Sequence, residues 1–66
     1  MEITVNGVRK EIENGCTVAS LLLDMKYIKS KTAVWVNRKQ LLIAEYETYV
    51  LSPGDELKIV RIFGGG

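Results

Sequence analysis

The dipeptide Asn-Gly occurs twice in the first fifteen residues, at Asn6-Gly7 and Asn14-Gly15. No other feature constrains the fold as tightly. Ahead of the first, MEITVN alternates, with Ile3 and Val5 on one face, the period of a half-buried strand. Asn-Gly after such a stretch is a strong hairpin signal, because both residues tolerate the positive φ that a two-residue turn needs. VRKEIE is then the return strand, with Val8 and Ile12 on one face and Lys10 between them. The second Asn-Gly closes it.

The period then changes. Val18, Leu21, Leu22 and Met25 fall at i, i+3, i+4 and i+7, one apolar stripe of an amphipathic helix. Thr17 is the expected N-cap, its hydroxyl accepting a backbone N–H left without a helical partner. Lys26 is expected in the last turn, where the helix dipole favours a cation. KYIKSKT reads as a polar connection, and AVWVN as a short β-branched inner strand. RKQLLIAEYET reads as a turn, an irregular stretch and one helical turn. YVL is a brief strand, SPGD a turn with Pro53 at its second position, and ELKIVRIF the last strand. The order is hairpin, helix, strand, short strand, strand. A chain of 66 residues has one layer of helix to offer and buries only about 60% of its unfolded surface. The expected fold is therefore α+β, one β-grasp domain over residues 1–63. A mixed sheet of four to five strands carries one main helix on one face, and residues 64–66 form a flexible glycine tail.

Composition removes several functions. Nine basic and eight acidic residues leave a net charge of +1, no electrostatic case for nucleic acid or a membrane surface. No apolar run approaches the ~20 residues of a membrane span, and the N-terminus lacks the pattern of a signal peptide. Cys16 is the single cysteine, so it forms no internal disulfide; a cytoplasmic protein is the expectation. With no histidine, a His/Cys metal site and a Cys–His catalytic pair are both unavailable within one chain. No bound cofactor is expected.

Strand parity divides the sheet. If Leu57, Ile59, Val34 and Val36 meet the helix, then Trp35, Val60 and Ile62 face outward. An exposed Trp beside β-branched residues is a candidate docking patch, with Phe63 continuing it. The alternative is that Trp35 packs down against loop residues.

The sequence ends in KIVRIFGGG, so half of its six glycines occupy three consecutive positions. Glycine is the costliest residue to order. A frayed tail is the simplest account, and a thin probe is the functional one. Three glycines reach about 10 Å beyond Phe63 without a side chain, enough to enter a closed site. The terminal carboxylate, with an ordinary pKa of ~3.5, is ionised and a poor electrophile. Such a carboxylate reacts with a nucleophile only after an activating step has given it a good leaving group.

The hairpin Asn-Gly, CTVASLL opening the helix, AVWVN, PGDEL and the terminal glycines together resemble the ThiS family of ubiquitin-like sulfur carriers, cousins of the MoaD family. The resemblance spans the chain, its central stretch being only generally similar. It implies adenylation by a ThiF-like adenylyltransferase that uses ATP. Gly66 would be converted to the thiocarboxylate and its sulfur passed to a ThiG-like thiazole synthase, for the thiazole of thiamine. Gly66 is the expected attachment point. Gly65 makes it reachable, and Gly64 adds reach.

Other residues carry weaker signals. Cys16 lies just before the helix, where a redox or acyl-accepting role competes with an ordinary loop cysteine, and no role is assigned. Lys26, Lys29, Lys31, Arg38 and Lys39 make the middle of the chain basic, which a solvated surface explains as well as partner steering. Glu45 and Glu47 could pair for acid–base work, but nothing around them suggests a pocket. The protein reads as a carrier rather than an enzyme. Alternatives are a carrier for molybdopterin, cysteine or methionine synthesis, a ubiquitin-like protein modifier, and a β-grasp interaction module with an inert tail.

Overall fold

The computed structural model describes residues 1–62. Five strands and one α-helix appear in chain order: β1 (Glu2–Val5), β2 (Val8–Glu11), α1 (Val18–Asp24), β3 (Thr32–Val36), β4 (Lys39–Gln40) and β5 (Glu56–Arg61). They form one sheet in the order β2-β1-β5-β3-β4. β1 pairs antiparallel with β2 and parallel with β5, and β3 pairs antiparallel with both β5 and β4. The last strand to be made is therefore the central one. This is the mixed sheet with one covering helix that the sequence implied.

Both hairpins turn on two residues. Asn6 and Gly7, at φ 51° and 81°, join Val5 to Val8. Asn37 and Arg38, at φ 51° and 72°, join Val36 to Lys39. Positive φ at both central positions matches the right-handed twist of the flanking strands. The second hairpin was expected only as a turn with irregular chain after it. Arg38 accepts a left-handed conformation that costs a side chain of its kind.

α1 starts as expected. Thr17 Oγ1 accepts the Ser20 N–H at 3.2 Å, and Ser20 Oγ accepts the Thr17 N–H at 3.0 Å, a reciprocal capping box. It ends earlier than expected. Lys26 lies beyond the last turn, in the left-handed region at φ 64°. Its N–H donates to Leu23 O and the Tyr27 N–H to Leu22 O, a Schellman closure with lysine where glycine is usual. The expectation that Lys26 sits in the last turn is thereby corrected. The polar connection holds a 3-10 turn at Lys29–Lys31, and the one helical turn expected in RKQLLIAEYET is a 3-10 turn at Ile43–Glu45. YVL forms no named strand; Val50 makes a single bridge to Thr17.

The core lies between α1 and one sheet face. Ile3, Val5, Val34, Val36, Leu57 and Ile59 meet Val18, Leu21 and Leu22, with Leu41, Tyr46 and Leu51 closing the side. Full burial of such a side chain contributes about 1.5–3 kcal/mol. Tyr46 is 1% exposed, and its hydroxyl donates to Thr32 O at 2.8 Å. Lys10 shares the face of Ile3 but lies toward the edge, where its ammonium reaches Asp24 of α1 at 3.7 Å.

Candidate functional site around the central strand

β5 carries Leu57, Ile59 and Val60, and Ile62 follows directly on its end, so the placement of this strand decides the site. Its own chain enters through the Ser52–Asp55 turn. Gly54 supplies φ 81°, and Asp55 closes the turn by donating its N–H to Ser52 O at 3.1 Å. The Asp55 carboxylate is buried and accepts from the Ser52 N–H and from Asn37 Nδ2, at 2.8 and 2.9 Å.

Two asparagines from opposite hairpins then grip β5. Asn6 Nδ2 donates to Ile59 O at 3.1 Å, and Asn6 Oδ1 accepts the Ile59 N–H at 2.8 Å. Asn37 Oδ1 accepts the Glu56 N–H at 2.9 Å. The backbones add to this: the Asn6 N–H donates to Leu57 O and the Asn37 N–H to Glu56 O. Each side-chain amide stands in for a strand neighbour where the flanking strand has already turned away. Sequence reasoning found Asn6 only as a turn residue and Asn37 only as the end of a strand. The turn chemistry was legible, but the partner of Asn6 is 53 positions along the chain.

The parity expected of β5 is observed. Leu57 and Ile59 are buried under α1. Val60 and Ile62 are 39% and 52% exposed. Trp35 pairs with Lys58, and Ala33 with Val60, so Trp35 and Val60 are diagonal neighbours on the outer face. Trp35 is only half-buried, and Lys58 Nζ lies 5.8 Å from its ring centroid. The Trp ring is thus partly covered by a lysine rather than fully open. A shallow outer-face hollow is lined by Thr4, Asn6, Trp35, Arg38, Lys58 and Val60. At the far end of β5, Arg61 stacks on Tyr27 with its guanidinium carbon 4.3 Å from the ring centroid, and the Ile62 N–H donates to Lys31 O at 2.9 Å. Phe63, Gly64, Gly65 and Gly66 lie outside the described residues, as does the division between a domain ending at 63 and a tail at 64–66.

The weaker candidates separate. Glu45 caps its 3-10 turn by accepting the Leu42 N–H at 2.8 Å. Glu47 pairs with Lys29, which lowers the carboxyl below its ordinary range. The two carboxylates have different partners and form no acid–base pair. Cys16 is half-buried, its Sγ 3.2 Å from Ser20 Oγ within the helix cap. The basic residues of the middle chain are dispersed: Lys26 closes a helix, Lys29 is paired, and Arg38 and Lys39 lie on the second hairpin. Among the described residues, no three His, Cys, Asp or Glu side chains come together in a way that could hold a metal ion. No described helix is long and apolar enough to cross a membrane.

Comparison with known proteins agrees with this geometry. The ThiS family model matches residues 3–66. A thiazole synthase of Magnetococcus marinus is 32% identical over 66 residues, all of this chain, which spans only 20% of that protein's length. The crystal structure of a thiamine biosynthesis protein (ThiS) from Geobacter metallireducens superposes with a TM-score of 0.84 at 25% identity, covering all of both chains. A solution structure of a thiamine biosynthesis protein from the same organism superposes with a TM-score of 0.77, also at 25% identity, over all of this chain and 88% of that one.

Proposed function

The chain belongs to the ThiS family, and from that premise we propose that it is a sulfur carrier for thiazole formation in thiamine biosynthesis. The observation that carries the reading is the family match, which runs from Ile3 through Gly66 and so includes the glycines. The likeness to a thiazole synthase favours the thiazole branch over a molybdopterin, cysteine or methionine branch.

The reacting group is the Gly66 carboxylate. It attacks the α-phosphorus of ATP in the site of a ThiF-like adenylyltransferase, and pyrophosphate leaves. A sulfur nucleophile then adds to the acyl carbon and AMP departs, leaving a thiocarboxylate. A ThiG-like thiazole synthase takes the sulfur. The chain contributes reach and a docking surface, and the chemistry belongs to its partners. Gly64 and Gly65 keep the approach narrow. Trp35, Val60 and Ile62 present the surface on which a partner rests, and Phe63 is added to it on the sequence alone. β5, clamped by Asn6 and Asn37, gives that surface a rigid base.

Intact-mass measurement after incubation with a ThiF-like enzyme, ATP and a sulfur donor tests the reading. Exchange of one oxygen for one sulfur, lost when Gly66 is deleted, is the expected result. Conjugates on lysines would identify a protein modifier instead. An unchanged mass would leave only an interaction module.

A further inference from the structure

The two Asn-Gly pairs are chemically identical and differ in how the asparagine side chain is held. Asn6 has both side-chain atoms engaged by Ile59, at 3.1 and 2.8 Å. Asn14 is exposed, and neither its side chain nor the Gly15 N–H has a hydrogen-bond partner among the described residues. Gly15 at φ 85° and Gly7 at φ 81° are equally open, since a Cβ built at either would meet nothing within 4 Å, so the contrast rests on the asparagine side chains. The turn is closed around Asn14 and Gly15 by the Cys16 N–H donating to Glu13 O at 3.3 Å, a bond that engages neither the Asn14 amide nor the Gly15 nitrogen, so the side chain can swing toward that nitrogen.

We propose that Asn14 is a self-modification site, at which the chain hydrolyses its own amide, and that the clamp on β5 closes the same chemistry at Asn6. The Gly15 backbone nitrogen loses its proton to solvent base and bonds to Asn14 Cγ. The tetrahedral adduct takes up a proton and expels ammonia, leaving a five-membered imide. Water opens the imide at either carbonyl, giving aspartate or isoaspartate. Overall, one amide and one water become one carboxylate and one ammonium, with no oxidant or second reactant.

The placement of the two sites separates their consequences. β1 and β5 run parallel and β2 antiparallel, so Asn14 follows the end of the sheet at which β5 begins. The new carboxylate joins Glu11, Glu13 and Asp24 around an open hollow beside Cys16. It lowers the net charge from +1 by one unit. At Asn6 the same conversion would set a carboxylate oxygen against the Ile59 carbonyl and loosen β5.

The test is peptide mapping of the folded protein held in mildly alkaline heavy-oxygen water, against the same protein in concentrated urea. In the folded protein, label and charge appear at Asn14 faster than at Asn6 by about tenfold or more, the weight of two hydrogen bonds. In urea the two rates converge, because both sites are then unstructured Asn-Gly. Equal rates in the folded protein, or no conversion at Asn14, would overturn the proposal. The outcome is independent of the carrier reading, since no partner enzyme is present.

Discussion

Asn6 holds a backbone conformation that most side chains avoid, and its amide uses that position to complete the ladder of β5. Asn6→Ala should cost about 2–3 kcal/mol: it removes both hydrogen bonds to Ile59 and puts alanine at positive φ. Urea denaturation measures this, and Asn6→Gly should lose less because glycine carries no left-handed penalty. Tyr46 illustrates a second buried polar contact. Burial pushes its phenol above the ordinary value of about 10. The neutral form is thus favoured in the fold. Its contribution is complete below the unfolded value and is lost as pH rises through the raised one. Tyr46→Phe should cost about 1 kcal/mol at neutral pH and flatten the decline in stability at alkaline pH, read from denaturation midpoints across that range. Neither contact could be seen in the sequence. AEYETY shows a tyrosine among glutamates, and only the packed sheet places that tyrosine against Thr32.

At the scale of elements, local chemistry was most legible where one residue type has one job. Thr17 as a cap and Asn6-Gly7 as a turn follow from side-chain reach and permitted φ. The misread boundaries lie where the chain uses a costly residue. Lys26 ends α1 in a conformation suited to glycine, so no glycine marked the stop. Arg38 similarly hides the β3–β4 hairpin. Lys26→Gly should stabilise the domain by about 1 kcal/mol by removing the left-handed penalty, a rise visible in the thermal midpoint. The 3-10 turn at Ile43–Glu45 was expected only as a single helical turn, since the consecutive run Leu41, Leu42, Ile43 and Ala44 follows neither period.

At the scale of the whole molecule, the outer face and the glycines should be separable. Trp35→Asp should weaken binding to a ThiF-like partner about tenfold or more, with the circular dichroism spectrum retained. Titration calorimetry measures the first, and an unchanged affinity would remove Trp35 from the docking surface. Gly66 deletion should abolish the gain of sulfur mass and, on the proposal that the outer sheet face is the docking surface, leave binding within about twofold. The sequence alone determined the hairpin, the helix stripe, the inner and outer parity of β3 and β5, and the family resemblance. Each depends on spacing or on residue type at neighbouring positions. Only the tertiary structure decided that β5 lies between β1 and β3, that Lys58 covers part of Trp35, and that Asn6 and Asn37 clamp β5. Those pairings join residues up to 53 positions apart. Local periodicity carries no information at that range, because the pairing is set by closure of the core rather than by the order of neighbours.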